Sequence, residues 1–160
     1  MHQKCRLGSR IRLMKALLQR VKNASVKTNE KIIGEIGAGL LILLGVSAAD
    51  TEKDIEFLVE KISNLRIFED QQEKMNLSLL DVKGEALIIS QFTLYADCKK
   101  GRRPSFTDAA PPEFANDMYK KFIQRFKATG TRVGEGKFGA MMDVSLVNSG
   151  PVTIMLESKN

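Results

Sequence analysis

Histidine is almost missing from this chain. Of 160 residues the one histidine is His2, inside a basic N-terminal stretch. A Ser-His-Asp or Cys-His device within the body of the protein is therefore excluded, as is a histidine cluster around a metal. Cysteine is nearly as scarce. Cys5 and Cys98 form no Cys-x-x-Cys pair, which argues against a disulfide framework and suits a reducing cytoplasm. No Walker-type phosphate loop and no Gly-x-Gly-x-x-Gly occurs. No apolar run approaches the length of a membrane span; the longest, Leu40 to Val46, is strand-sized. Hydrolytic chemistry here has to use a hydroxyl, a carboxylate, a lysine, backbone dipoles or a group on the substrate.

What is present fits one globular domain. Hydrophobic residues make up 43% and charged residues 28%, enough for a proper core with an ordinary surface. The net charge of +6 is uneven, because Lys4, Arg6, Arg10 and Arg12 supply four of those charges before Met14. Total charge therefore says little about nucleic-acid affinity; local patches such as Lys99 to Arg103 say more. A strand-like pattern starts at Met14. We read residues 1–13 as an N-terminal extension or a scar of expression, with a basic RNA-binding arm as the alternative, and residues 14–160 as the domain.

Lys15 to Val21 reads as the first strand, with Asn23 as a turn residue. Ala24 to Thr28 and Lys31 to Ile36 form a hairpin across Asn29-Glu30. Leu40 to Val46 is a buried central strand. Thr51 and Asp54 have capping-box spacing, and Ile55, Leu58, Val59, Ile62 and Leu65 repeat as one helical stripe. Pro111-Pro112 opens a second helix that carries Phe114, Met118, Phe122 and Phe126, with Gly130 as its C-cap. Both stripes read as core. Met141 to Val147 and Val152 to Leu156 read as strands joined by a turn at Asn148-Ser149-Gly150-Pro151. The expected fold is α+β: an antiparallel, barrel-like sheet with two packed helices.

One stretch breaks pattern. Ala86 to Ile89 is apolar and strand-like; then Ser90, Gln91 and Thr93 bring polarity, and the chain runs on into Lys99-Lys100-Gly101-Arg102-Arg103-Pro104-Ser105-Phe106. Hydroxyls at a strand end beside a cationic loop suit an anionic substrate. Ser, Thr and Gln there also suit simple satisfaction of backbone groups. Alternation puts Ser90 and Phe92 on one face, Gln91 and Thr93 on the other. If Ser90 and Thr93 serve one site, the strand must bulge or end between them.

These segments, with Gly136-Lys137-Phe138-Gly139 and Gly150-Pro151-Val152-Thr153, stand in the order and spacing of the D-aminoacyl-tRNA deacylases (the D-tyrosyl-tRNA deacylase family). Gln19-Arg20-Val21 also resembles that family's N-terminus. The resemblance covers residues 14 to about 157. It implies a cytoplasmic homodimer without cofactor or metal, active in chiral proofreading and translation quality control. It implies hydrolysis of the ester between a D-amino acid, or mischarged glycine, and the 3′-terminal adenosine of tRNA. Gly150 and Pro151 are implied to form a cis peptide that enters the partner subunit's site. Their carbonyls would face the substrate's α-amino group and leave no room for an L side chain. Arg20 is implied to steady that motif, and Phe138 and Met142 to lie near the bound adenosine. Ser90, Gln91, Phe92 and Thr93 are implied to do the chemistry. Thr93 is the nucleophile in one reading. In the other, which we favour because no base is evident, the terminal ribose 2′-hydroxyl assists water and backbone N–H groups near Phe92 and Thr93 hold the oxyanion. A reading from another class is a non-catalytic RNA-binding homodimer.

Overall fold

A computed structural model describes residues 13–158. Strand β1 (Lys15–Thr28) is the longest-range organiser. β8 (Asp143–Glu157) covers one side of it from Lys15 to Lys27. The other side is shared: β3 (Gly39–Gly45) pairs with its first half and β2 (Lys31–Ile36) with its second. β6 (Glu85–Ser90) joins β3, and β7 (Val133–Glu135) joins β6. Two further short strands, β4 (Phe68–Glu69) and β5 (Met75–Leu77), make a separate hairpin.

The sheet curls until β2 packs against β7. That approach requires Gly34, since a Cβ there would stand 2.6 Å from the Glu135 carbonyl oxygen. The result is the expected barrel-like sheet with two helices, although its pairing is mixed rather than wholly antiparallel. β3–β6 and β6–β7 run parallel. The reason lies in the connections: α1 (Glu52–Asn64) lies between β3 and β6, and α2 (Pro112–Lys127) between β6 and β7. A helical crossover returns the chain in the same direction.

Alternation sorts the side chains into two cores. Leu40, Ile42 and Leu44 of β3, with Ala86 and Ile88 of β6, face the helical stripes Ile55–Leu58–Val59–Ile62 and Met118–Phe122–Phe126. Leu41, Leu87 and Ile89 point to the concave side, where they meet Val21, Ala24 and Val26 of β1. β1 serves both cores: alternation puts Leu18 and Val21 on opposite faces, and one extra β1 residue between Val21 and Asn23 brings Ala24 and Val26 to the face of Val21. Asn23 is thus part of a bulged continuous strand, not the turn that its type suggests.

Two other boundaries differ from the sequence reading. α2 ends in a C-cap at Ala128, with Gly130 two residues beyond it at φ +90°, so the glycine closes the following turn instead. Residues 148–151 do not separate two strands; β8 runs through them. The hairpin at Asn29-Glu30 is as expected, with both residues at positive φ, as a two-residue connection demands. Thr51 caps α1, and its N–H donates to the Asp54 carboxylate at 2.7 Å. Among the described residues no helix is long and apolar enough to cross a membrane.

Between β3 and α1 the buried Asp50 carboxylate accepts from the Ser47 N–H and hydroxyl, each at 2.7 Å. Burial pushes this carboxyl up from 3.8 to about 6, against the pull of the Ser47 hydrogen bonds. The folded protein therefore binds this proton more tightly than the unfolded chain does. The resulting stabilisation is complete below 3.8 and is lost as pH rises through about 6. Urea denaturation of the parent and Asp50→Asn, run from about pH 4 to about pH 7, checks this. The stability difference should shift toward the variant as pH rises and then level off; a difference that does not change with pH contradicts it.

Candidate active site

β6 ends at Ser90, where β3 ends beside it. The Gln91 N–H makes a last bond to the Leu44 carbonyl at 2.8 Å, and residues Phe92–Tyr95 then wind into a single 3-10 turn. The strand thus ends between Ser90 and Thr93, the condition set above for both to serve one site. Gly45 permits this fold-back, because a Cβ there would lie 2.9 Å from the Tyr95 ring. The Tyr95 hydroxyl lies 3.1 Å from the Gly45 carbonyl and 2.5 Å from that of Leu13. Burial raises its pKa well above the usual tyrosine range, so it stays a neutral donor.

The end of β6 forms the floor of a cleft of about 680 Å³. Ser90, Gln91 and Phe92 line it from below, Phe106, Ala110 and Pro112 from the approach to α2, and Phe138, Met141 and Met142 from the loop before β8. Phe92 is 56% exposed and packs edge-on against Phe106, ring centres 5.1 Å apart. The Gln91 side-chain amide donates to the Thr93 hydroxyl, which ties the exposed Thr93 to the cleft without placing it in the wall. Among the described residues the N–H groups of Phe92 and Thr93 donate to no neighbour, as expected for the leading residues of a turn. None of the lining side chains ionises. No group of three or more His, Cys, Asp or Glu among the described residues is placed to hold a metal ion.

α2 positions the opposite wall. The Tyr119 hydroxyl donates to the Ile88 carbonyl at 2.6 Å and accepts from the Gly136 N–H at 3.2 Å, and its ring stands 6.3 Å from that of Phe138. Burial pushes the Tyr119 pKa up to about 12. Met142 enters the cleft past Gly136, where a Cβ would lie 2.8 Å from its sulfur.

Arg20, Gly150 and Pro151 stand elsewhere and do not line this cleft. Four residues of β8, 149–152, bulge out opposite Arg20 alone, since Gln19 faces Thr153 and Val21 faces Asn148. The Gly150–Pro151 peptide is cis, and both residues are exposed. The buried Arg20 guanidinium holds the bulge: Nε donates to the Ser149 carbonyl at 2.9 Å and Nη1 to the Ile67 carbonyl at 2.8 Å. Glu69 lies 3.6 Å from the same group. Asn148 closes the bulge, accepting from the Val152 N–H at 2.7 Å and donating back to the Val152 carbonyl at 3.1 Å. Sequence reasoning passed over Asn148, Tyr119 and Phe106. Only Phe106 carried a signal, as part of the motif segment itself.

An α+β domain with a curled mixed sheet and an uncharged cleft at the end of a parallel strand is the class defined so far. The family model for D-Tyr-tRNA(Tyr) deacylase matches residues 17–157. A D-aminoacyl-tRNA deacylase of Desulfatibacillum aliphaticivorans is 60% identical over 91% of this chain and 100% of its own length. One from Thermosipho africanus is 57% identical over 91% and 98%. The solved structure of the c-Myc DNA Unwinding Element Binding Protein superposes with a TM-score of 0.85, at 45% identity over 91% of this chain and 99% of that one. This chain belongs to the D-Tyr-tRNA(Tyr) deacylase family. It is an enzyme, a hydrolase, and not the non-catalytic module weighed above.

Tyr119→Phe removes the hydroxyl that joins α2 to both cleft walls. The Ile88 carbonyl keeps the Gly136 N–H at 3.4 Å, so the loss is that of one hydrogen bond, about 1 kcal/mol. Thermal melting should fall by about 2–4 °C per kcal/mol, with a raised KM as the Phe138–Met142 wall loosens. An unchanged melting point together with unchanged kinetics would show that the bridge does not matter.

Proposed function

We propose that this protein hydrolyses the ester joining a D-amino acid to the 3′-terminal adenosine of tRNA, releasing both, and that it also removes mischarged glycine. The observation that carries the reading is the cleft at Ser90–Gln91–Phe92, in a chain of this family, without one ionisable side chain in its lining. Such a site has no base to activate a side-chain nucleophile. The attacking water instead loses its proton with help from the terminal ribose 2′-hydroxyl. Its oxygen adds to the ester carbonyl carbon, and the N–H groups of Phe92 and Thr93 hold the oxyanion. The tetrahedral centre then breaks its bond to the ribose 3′-oxygen, which takes a proton as the tRNA leaves. Ser90 and Gln91 orient substrate and turn, and Phe138 and Met142 bound the adenosine pocket.

Chirality is read by a second copy of the chain. Gly150 and Pro151 are exposed and absent from their own cleft, so a screen built from them has to be delivered across a homodimer. Their carbonyls accept from the substrate ammonium, and rigid backbone excludes an L side chain while glycine passes. Arg20, through Ser149, keeps the bulge in place. The workplace is the cytoplasm, where tRNA is charged.

Incubation with a D-aminoacyl-tRNA tests the activity: free amino acid should appear, and binding without release contradicts the proposal. Sedimentation at micromolar concentration tests the assembly, where a fully active monomer would remove the cross-subunit role of Pro151. The mechanism is tested by single turnover. Thr93→Ser and Thr93→Ala should keep measurable hydrolysis, while replacing the ribose 2′-hydroxyl by hydrogen should cost about 10²–10⁴-fold. An inert Thr93→Ala protein that still binds substrate, with full activity on the 2′-deoxy substrate, would instead make Thr93 the nucleophile.

A further inference from the structure

The deacylation chemistry makes no use of the loop that follows the 3-10 turn. Lys99, Lys100, Arg102 and Arg103 fall within five residues and are all exposed. Among the described residues none of them forms an ion pair. The flanking acids reduce the local charge without pairing with these side chains: the Asp97 carboxylate accepts the Lys99 N–H at 3.1 Å, and Asp108 lies past Phe106 with a partner of its own. The segment from Asp97 to Asp108 carries two net positive charges, as many as residues 14–160 together, so the loop is a local concentration of charge and not a general property of the surface.

The loop is also aimed. Asp97 and Ser105 are bridged by two backbone hydrogen bonds, at 2.7 and 2.9 Å, which clamp its base. Gly101, at φ +66° with open space around it, lets the tip turn back. Directly after the clamp comes Phe106, which lines the cleft and packs on Phe92. The cations therefore project from the cleft rim, while the cleft itself holds no charge to attract a polyanion. A nucleoside ester seated on Ser90–Phe92 carries its first phosphate on the 5′ side of the same ribose. The following phosphates have to leave over the rim.

We propose that the Lys99–Arg103 loop binds the phosphates of the unpaired 3′ strand of the tRNA and so docks the terminal adenosine over the cleft. This rests on the deacylase reading above and adds what recognises the strand. Attraction of this kind is salt-dependent, with the slope of log K against log salt changing by about 0.7 for each phosphate neutralised on a single strand.

The test compares two substrates, D-aminoacyl-tRNA and the phosphate-free D-aminoacyl-adenosine. The proteins are the parent, Lys99→Gln/Lys100→Gln and Arg102→Gln/Arg103→Gln, each checked for an unchanged melting point. For each double variant the ratio of kcat/KM on the tRNA to that on the adenosine ester should fall tenfold or more. The salt slope of tRNA binding should become shallower by about 1.4 when a pair of cations no longer neutralises its two phosphates. Equal losses on both substrates would mean that the loop acts on the ester itself, and no change in either ratio or slope would mean that it touches no phosphate; both overturn the proposal. If the parent hydrolyses neither substrate, the deacylase reading fails, and tRNA binding as a function of salt still decides the loop by itself.

Discussion

The site exists because Gly45 has no side chain. The ring of Tyr95 occupies the space where a Cβ would stand, and this contact allows the 3-10 turn to fold directly onto the end of β3. With any larger residue the Tyr95 ring or the turn that carries it would have to shift. The missing methyl group thus lets the turn sit where the strand stops.

Charge is divided between two places that touch. The cleft is built from hydroxyl, amide, aromatic and thioether groups, and the exposed cations stand in the loop that leads into Phe106 of its wall. An uncharged floor strengthens backbone dipoles, since there is little nearby to screen them. Such a floor offers no long-range attraction; the exposed cations of Lys99–Arg103 lie a few residues along the chain, outside its lining. The aromatic contact between Phe92 and Phe106 is the mechanical link between the two.

The 149–152 bulge shows the same economy of means. A strand partner of four residues opposite one would ordinarily leave backbone groups without bonds. Here two side chains from distant or adjacent positions satisfy three of them: Arg20 takes the Ser149 carbonyl, and Asn148 takes both polar groups of Val152. Arg20 is itself buried, and two carbonyls and Glu69 surround its charge.

Much of this was legible in the chain itself. Helical stripes, the Thr51–Asp54 capping box, the Asn29-Glu30 hairpin and the apolar strands Leu40–Val46 and Ala86–Ile89 follow from periodicity and turn chemistry, which are local. The polar break at Ser90–Thr93 falls where β6 ends beside the cleft, for the same reason. What sequence could not determine is everything that depends on partners far away. Asn23 and Asn148 look like turn residues, yet both lie in bulged strands because β1 and β8 pair along their whole length. Gly130 looks like a cap, yet α2 is capped two residues earlier, at Ala128. The parallel pairing of β3 with β6, the use of the Tyr119 hydroxyl as a bridge and the separation of Gly150–Pro151 from their own cleft are decided by tertiary packing. Local pattern sets which residues are apolar, kinked or polar; only the closed sheet decides which of them meet.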